Sequence, residues 1–295
     1  MTQVRSGDQL GDALQTRNSP RSIEEWEALL DSDAAEVVET DVGEMAIARE
    51  RGQLHLHYAF DDLEAMTSAW HPCFEALRER IADSGFPYVT IDLVEHANRR
   101  WIENLLAECD FQAMGEWLEL VHPGLRDVVP PEIPEDLTMR RAQPHDGAAI
   151  VAIEGAAYGE WTDGEASTLA RIEEAGWTGV LERDGEVIAY AINTPVENGR
   201  GEVMSCAVAP EAQGDGLGKV ILGAATYQLA ASDGREAAVR VRPDIPKAAR
   251  TATALGYLVG RRGIELRRDS DEEVLRQARD DARVRGMKVR FGGWR

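Results

Sequence analysis

Cysteine, lysine and long apolar runs are scarce in this chain, and each scarcity closes off a class of function. The three cysteines, Cys73, Cys109 and Cys206, make no CxxC pair and no metal-ligand spacing. They read as buried free thiols rather than as a disulfide framework or a thiolate metal centre. His55 and His57 share one strand face, but no further ligands stand near them in the sequence, so no metal is expected. No apolar run reaches the ~18–20 residues that span a bilayer. Met1 to Pro20 is polar and lacks an apolar signal core. The expectation is a soluble cytoplasmic protein with no membrane partner. Lysine occurs only at 219, 247 and 288, and the other basic residues are arginine. Lys and Arg together number 32 against 53 Asp and Glu, a net charge of −21. That balance argues against nucleic acid as the main partner, because phosphate binding needs a basic surface. It suits attraction of a cationic small molecule such as an amine, and equally an acidic surface that only aids solubility.

What is present is enough for buried cores. The hydrophobic share is 43% of 295 residues, room for one large domain or two of ordinary size. Residues 1–20 read as disordered, with a helix beginning near Ser22. Leu54, Leu56 and Tyr58 alternate with the two histidines, a strand pattern. Trp70, Phe74, Leu77 and Ile81 fall on one helical face, and the helix ends at Asp83-Ser84-Gly85. Tyr88–Leu93 reads as a strand, Asn98–Glu108 as a helix and Trp117–Val121 as a strand. Four prolines between Pro123 and Pro134 cannot sit in a helix or a central strand, so 123–136 is taken as a linker. After it come a short strand at Leu137–Arg141, a helix that Asp146 can cap, and a helix at Glu165–Ala175. Asp184-Gly185 is a strong hairpin signal between strands at Gly179–Glu182 and Glu186–Asn193. A strand at Glu202–Val208 leads through a glycine-rich turn into a helix burying Leu217, Val220, Ile221, Ala224, Ala225 and Leu229. A strand at Ala237–Val241, a helix at Pro246–Leu255 and a strand through Ile264-Glu265-Leu266 complete the unit.

The two halves echo one another. Ala82-Asp83-Ser84-Gly85 resembles Ala231-Ser232-Asp233-Gly234. Asp110-Phe111 aligns with Gly256-Tyr257, and Trp117–Leu120 aligns at the same offset with Gly263–Leu266. A tandem duplication follows, with a degraded first copy.

The glycine-rich turn carries the chemistry. In Val208-Ala209-Pro210-Glu211-Ala212-Gln213-Gly214-Asp215-Gly216-Leu217-Gly218-Lys219 the glycines let several N–H groups point into one concavity. The helix N-terminus behind them adds partial positive charge, and together they suit a pyrophosphate. The spacing is neither GxGxxG nor GxxxxGK[ST]. Gln213-Gly214-Asp215-Gly216-Leu217-Gly218 resembles the Q/R-x-x-G-x-G/A signature of the GNAT N-acyltransferase superfamily, with Val208-Ala209-Pro210 as its lead-in. The likeness runs back to Arg140 and Pro144-His145-Asp146 and forward to Leu255-Gly256-Tyr257, covering 137–268 in the right element order.

The resemblance implies an α/β (α+β) chain of two tandem GNAT-like domains, each a mixed, mostly antiparallel central sheet flanked by helices. The boundaries expected are a degenerate copy at 21–122, the linker at 123–136, the acyltransferase domain at 137–268 and a charged helix and tail at 269–295. It implies acetyl-CoA as co-substrate. Ala207, Val208 and Ala209 would bond the pantetheine arm, while Gln213, Gly214, Asp215, Gly216, Leu217, Gly218 and Lys219 would hold or border the pyrophosphate. The stretch Glu202-Val-Met-Ser-Cys206-Ala-Val208 resembles the Glu-x-x-x-Cys-Ala-Ile strand of histone acetyltransferases, where the Glu is the base, so Glu202 is the catalytic candidate. An ordinary edge carboxylate is the other reading. A strand amide near Ala207 or Val208 would hold the oxyanion. The tyrosine that often protonates the departing thiolate in this family is replaced by Ala252, and Tyr190 and Tyr227 are possible substitutes. Glu160, Trp161 and Asp163 lie in the loop expected to border the acceptor, where carboxylates and an aromatic ring suit a cation.

The first copy has no glycine between Phe60 and Ala69, and Asp61, Asp62 and Glu64 stand where a pyrophosphate would lie. Like charges repel, so this copy is not expected to bind coenzyme A in the usual way. In the tail, every formal side-chain charge after Asp281 is positive, which suits docking on an acidic body. The leading function is acetyl transfer to a primary amine of a small molecule, or of a peptide or protein, by direct attack in a ternary complex in a monomer or homodimer. A non-catalytic acyl-CoA-binding regulatory protein is the contrasting class.

Overall fold

The computed structural model describes residues 16–18, 23–30, 35–95, 99–159, 162 and 164–291. The chain divides into two compact units, one from 1–114 with 265–295 and one from 115–264. Two strands are shared out between them. Strand β5 (Gln112–His122) begins in the first unit and continues in the second, and β11 (Leu258–Asp269) does the reverse.

In the first unit, β1 (Ala35–Thr40), β2 (Gly43–Glu50) and β3 (Gln53–Phe60) form an antiparallel meander. The β2–β3 turn is Arg51-Gly52, both at positive φ (54° and 70°), the geometry that matches the twist of a two-residue hairpin. Helix α1 (Ile23–Leu30) places Trp26 and Leu29 against Ala48 and Ala59. Helix α2 (Leu63–Asp83) buries Trp70, Phe74, Leu77 and Ile81, the face expected from their spacing. Strand β4 (Tyr88–Val94) runs parallel to β3, paired at Leu54↔Val89 and His55↔Thr90. Helix α3 (Arg99–Glu108) follows. The end of β11 lies beside β4, where the Ser270 N–H reaches the Pro87 carbonyl at 3.0 Å. Helix α8 (Glu272–Phe291) is tied down by Arg78–Glu272 and by Arg279–Asp110. Arg268 is fully buried. Its guanidinium donates to the Cys109 and Asp269 carbonyls and to Glu272, and lies 5.3 Å from the Phe74 ring.

The second unit starts with the greater part of β5 and the proline-marked stretch after it. Leu125 is buried, and its N–H bonds the Arg235 carbonyl at 3.2 Å. Then come β6 (Thr138–Arg141), α4 (Gly147–Tyr158), α5 (Glu165–Glu174), β7 (Trp177–Arg183) and β8 (Glu186–Asn193). They are followed by β9 (Arg200–Val208), α6 (Leu217–Ala231), β10 (Glu236–Val241) and α7 (Pro246–Thr253). The strand order is β5-β10-β9-β8-β7-β6, with the beginning of β11 beside β5. The β7–β8 turn repeats the first unit's device, with Asp184 and Gly185 at φ 52° and 85°. Asp146 does not cap α4. Its carboxylate takes two bonds from Arg140 (2.6 and 2.9 Å) and one from the Gln143 N–H (2.6 Å), because a charged partner outcompetes a helix amide. Helix α6 buries Leu222, Gly223 and Thr226 besides most of the expected face, so it is enclosed on most sides.

Buried His55 makes the first unit acid-sensitive. His55 is 8% exposed, and burial lowers its pKa to about 4, against the opposing pull of Asp92 and Glu50 and with help from His57 and Arg51. A depressed histidine contributes stability above its unfolded pKa of ~6.5 and loses it as pH falls towards the folded value. The expected loss between pH 7.5 and pH 5 is about 2 kcal/mol from this group. Urea midpoints of the wild type and of His55→Gln across that range check it. Parallel pH profiles for the two proteins would contradict it.

Candidate functional site

Strand β9 changes neighbour along its length, with β10 beside its start and β8 beside its end. It pairs with β8 from Val203 to Val208. With β10 it pairs only at Glu236↔Arg200, Ala237↔Gly201, Ala238↔Glu202 and Val239↔Val203. Strand β10 continues against β5 to Val241↔Leu118, so β9 and β10 part after Val203. At the same place the β8 register moves from Ile192↔Ser205 to Asn193↔Val203, leaving Met204 as an extra residue. A bulge of this kind bends a strand and ends regular pairing.

Parity identifies which main-chain groups face the gap. Pairs that exchange hydrogen bonds alternate with pairs that do not in an antiparallel ladder. The Ala209 N–H bonds the Ile188 carbonyl at 2.8 Å. Tyr190↔Ala207 is therefore a bonded pair, whereas the N–H and C=O groups of Cys206 and Val208 point away from β8. Two of those carbonyls already have partners. The Tyr158 hydroxyl donates to the Cys206 carbonyl at 2.9 Å, and the Gln213 amide donates to the Val208 carbonyl at 3.1 Å.

The edge runs into the glycine loop. Pro210–Ala212 form a single 3₁₀ turn, and α6 starts at Leu217. Gly214 has φ 110°, and Gly216, the residue before the helix, has φ 77°. Side chains rarely adopt either angle. A Cβ added at Gly214, Gly216 or Gly218 would meet nothing within 4 Å, so these glycines face open space rather than packed neighbours. Among the described residues no side chain caps α6 and the amides of 214–218 donate to no backbone carbonyl, the first in the loop returning to one being Lys219 to Gly216. Five successive N–H groups at a helix N-terminus make an anion-binding concavity. Gln213, Asp215 and Lys219 are exposed beside it, Leu217 is buried in the core, and Ala209 is buried beneath the loop.

Glu202 lies on β9 before the bulge and is half-buried. Its main chain is held by Thr194 through two bonds of 2.9 Å, one to the Thr194 hydroxyl and one from the Thr194 N–H. Ala252 is fully buried, and its carbonyl accepts from Leu255 and Tyr257, so nothing at that position reaches a cleft. Tyr190 is also fully buried. Glu160, Trp161 and Asp163 lie outside the described residues. Among the described residues no group of three or more His, Cys, Asp or Glu is placed to hold a metal ion, and no helix is long and apolar enough to cross a membrane.

A buried polar cluster supports the edge from beneath. Glu154, on α4, is 2% exposed and accepts from Arg171 of α5 and, at 2.8 Å, from the Tyr190 hydroxyl. Tyr190 also meets the Ser205 hydroxyl at 2.7 Å, one residue before Cys206. Burial raises the Tyr158 phenol to about 12, with Cys206 and Glu154 adding to the shift, and raises the Cys206 thiol to about 12. Both stay protonated at neutral pH. The sequence held a signal for this cluster that the motif reading passed over. Glu154 is the single charge within the apolar stretch Gly147–Tyr158, and a charge on an apolar helix needs a buried partner. Tyr158 lies four residues on, on the same face.

Comparison with known proteins agrees with this geometry. Residues 148–257 match the model described as "Acetyltransferase (GNAT) family". A mycothiol acetyltransferase of Streptomyces griseus subsp. griseus is 32% identical over 115 residues, 36% of this chain and 38% of that protein. The chain thus spans well under half of that relative's length. Among solved structures, a GCN5-related N-acetyltransferase from Kribbella flavida aligns with TM-score 0.57 at 19% identity, covering 85% of this chain and 95% of that one. A GCN5-related N-acetyltransferase from Sphaerobacter thermophilus gives TM-score 0.57 at 17% identity, covering 84% of each chain. A tandem GNAT protein from the clavulanic acid biosynthesis pathway gives 0.56 at 13%, covering 81% of this chain and 84% of that one. These likenesses show the fold: mixed α/β, with mostly antiparallel sheet flanked by helices.

The buried cluster has a measurable cost when broken. Removing one partner of a buried ion pair strands the other charge and costs about 3–5 kcal/mol. Arg171→Ala is expected to lower unfolding stability by that order in urea titration. A change below about 1 kcal/mol would show that the pair is solvated in solution.

Proposed function

We propose that this chain is an acetyl-CoA-dependent N-acetyltransferase whose acceptor is a primary amine of a small molecule. The observation that carries the reading is the open edge of β9 leading into five uncapped amides at the start of α6. Anionic phosphates suit those amides, and an extended amide-bearing arm suits the main-chain row at Cys206 and Val208 that faces away from β8. Of the two amides considered from sequence, that of Val208 faces the gap while that of Ala207 is engaged with Tyr190. Val208, with Cys206 beside it, is therefore the better placed to hold the developing oxyanion. A relative named as a mycothiol acetyltransferase supports a small-molecule acceptor.

An alkyl ammonium has a reference pKa near ~10.4, so the acceptor must lose a proton before its nitrogen attacks the thioester. Glu202 takes that proton, directly or through water. Cys206 takes no part as a nucleophile, because its thiol is held in the neutral form by burial. The chemistry is then direct attack: the C–N bond forms, the C–S bond breaks, and the amide product leaves with coenzyme A. The first unit lacks the corresponding loop. Only Asp61 and Asp62 separate β3 from α2, and Asp62 itself accepts from the Ala65 N–H at 2.8 Å. A carboxylate of the chain thus fills the place a phosphate would take, and this copy acts as structure.

Two measurements test the reading. Calorimetric titration with acetyl-CoA is expected to give one site per chain, lost in Gly216→Val, whose φ of 77° a branched side chain resists. Two equivalent sites per chain would remove the distinction between the copies. Thiol release across a panel of amines is expected to fall roughly 10²–10³-fold in Glu202→Gln with acetyl-CoA affinity retained. Tight binding without turnover on any amine would favour a regulatory acyl-CoA-binding protein instead.

A further inference from the structure

We propose that the first unit keeps a seat for an extended, amide-bearing chain on the edge of β3, and that the protein's own Asn18 occupies it. The inference rests on reading the edge of β9 as the seat of a cofactor arm. Strands β3 and β4 run parallel and pair only at Leu54↔Val89 and His55↔Thr90, so they part after His55. Past that point, main-chain groups of β3 that face away from β2 have lost their strand partner. Parity identifies them. The Asp61 N–H bonds the Val42 carbonyl at 3.1 Å, so Ala59↔Glu44 and His57↔Ala46 are the pairs that exchange bonds with β2. The N–H and C=O groups of Leu56 and Tyr58 therefore point into the gap.

One side chain claims both residues. Asn18 Nδ2 donates to the Leu56 carbonyl at 2.7 Å, and the Tyr58 N–H donates to Asn18 Oδ1 at 2.9 Å. In a parallel ladder one residue bonds the carbonyl of residue i and the N–H of residue i+2 on its neighbour. Continuing the β3–β4 register would put Asp92 in that place, opposite His57. The Asn18 carboxamide thus makes the two bonds that the main chain of Asp92 would make had the strands stayed together. Arg17 bridges Ala59 further along the same edge. Thr16 and Asn18 are buried, in a stretch whose polar sequence suggests disorder.

The second unit presents the same pair of groups. The Cys206 carbonyl and the Val208 N–H stand at i and i+2 on β9, past its parting from β10, and face away from β8. There the Cys206 carbonyl is met by the Tyr158 hydroxyl, from a different element. An arm with successive amides offers the N–H and C=O that the Asn18 carboxamide supplies on β3. Asp62 takes the place of a phosphate in the first unit, and Asn18 takes the place of the arm. Only residues 19–22 separate Asn18 from α1, whose Trp26 and Leu29 pack on Ala48 and Ala59. So short a tether gives Asn18 an effective concentration on the order of millimolar. An arm without phosphate anchorage does not displace it, and the first unit stays closed to the cofactor.

Hydrogen exchange and a phosphate-free ligand test this on the full chain. In the wild type the Tyr58 amide is expected to be protected although it faces away from β2. In Asn18→Ala it is expected to exchange about 10-fold faster, as loss of its hydrogen bond implies. A Tyr58 amide that exchanges freely in the wild type overturns the occupancy. The ligand is S-acetylpantetheine, which carries the amides without the phosphates, titrated by NMR after coenzyme A has saturated the second unit. Asn18→Ala is expected to bind it at one site per chain in the millimolar range, and the wild type about 10-fold more weakly or not at all. Equal affinity in the two proteins, or no binding to the variant, overturns the seat, since a merely structural asparagine would not hide a ligand site. If Asn18→Ala does not fold, Asn18→Asp keeps the shape and the acceptor but loses the donor to Leu56. The same outcomes are then read from it. Failure of the cofactor reading is distinguishable, because it would appear in the wild type as no coenzyme A binding while the Tyr58 exchange result stood.

Discussion

The second unit depends on one event in its sheet, the parting of β9 from β10 after Val203. A strand inside a sheet has no main-chain groups to spare, since both edges are bonded. Losing one neighbour while keeping the other gives β9 a row of directed, rigidly held donors and acceptors. The bulge at Met204 bends the strand at the place where pairing stops. The glycine loop then continues the same row of N–H groups round a corner and into the start of α6. Strand edge and helix terminus thus form one continuous polar surface, and each part would be ordinary without the other.

Such an edge is a liability unless it is held open. Unpaired strand edges recruit other strands, and a gap inside a domain tends to close. Two side chains prevent this by capping carbonyls within the gap, Tyr158 at Cys206 and Gln213 at Val208. Beneath them, the ion pair of Glu154 and Arg171 joins the two helices on that side to the strands through Tyr190 and Ser205. A buried pair of this kind contributes little net stability, but it defines one arrangement because every alternative strands a charge. The polar cluster is the device that keeps the site's geometry single-valued.

The same plan, used twice, has two outcomes. In both units a strand leads into a helix and then into a parallel strand, and both have a two-residue hairpin at positive φ just before it. In the first unit β3 and β4 also pair over only a short stretch. The difference is the connection that follows. Two acidic residues join β3 to α2, and Asp62 satisfies a helix amide. The segment 209–216 joins β9 to α6, and from Gly214 onward its amides have no backbone acceptor among the described residues. The chain exchanges its final strands as well, for β5 supplies the edge beside β10 while β11 ends beside β4. The first unit is therefore not a contiguous stretch of sequence, whereas the second, 115–264, is.

By itself the sequence determined the glycine loop, the strand before it, the helix after it and the internal repeat, because each rests on local physics. Glycine at positive φ, apolar periodicity and Asp-Gly at a hairpin are properties of neighbours in the chain. It also pointed to the first copy's lack of a phosphate loop, since missing glycines and repelling carboxylates can be read directly. It did not reveal β1 and β2, whose mixed polar and apolar residues carry no clean alternation. Nor did it reveal the exchange of β5 and β11, because strand pairing is a choice among distant segments and no local pattern encodes the partner. The hydrogen-bond parity that turns Val208 towards the gap and Ala207 away from it, and the reach of Tyr158 across to Cys206, exist only once four elements have packed. Tertiary structure decided those, because a site built from one strand's edge is defined by which neighbour is absent.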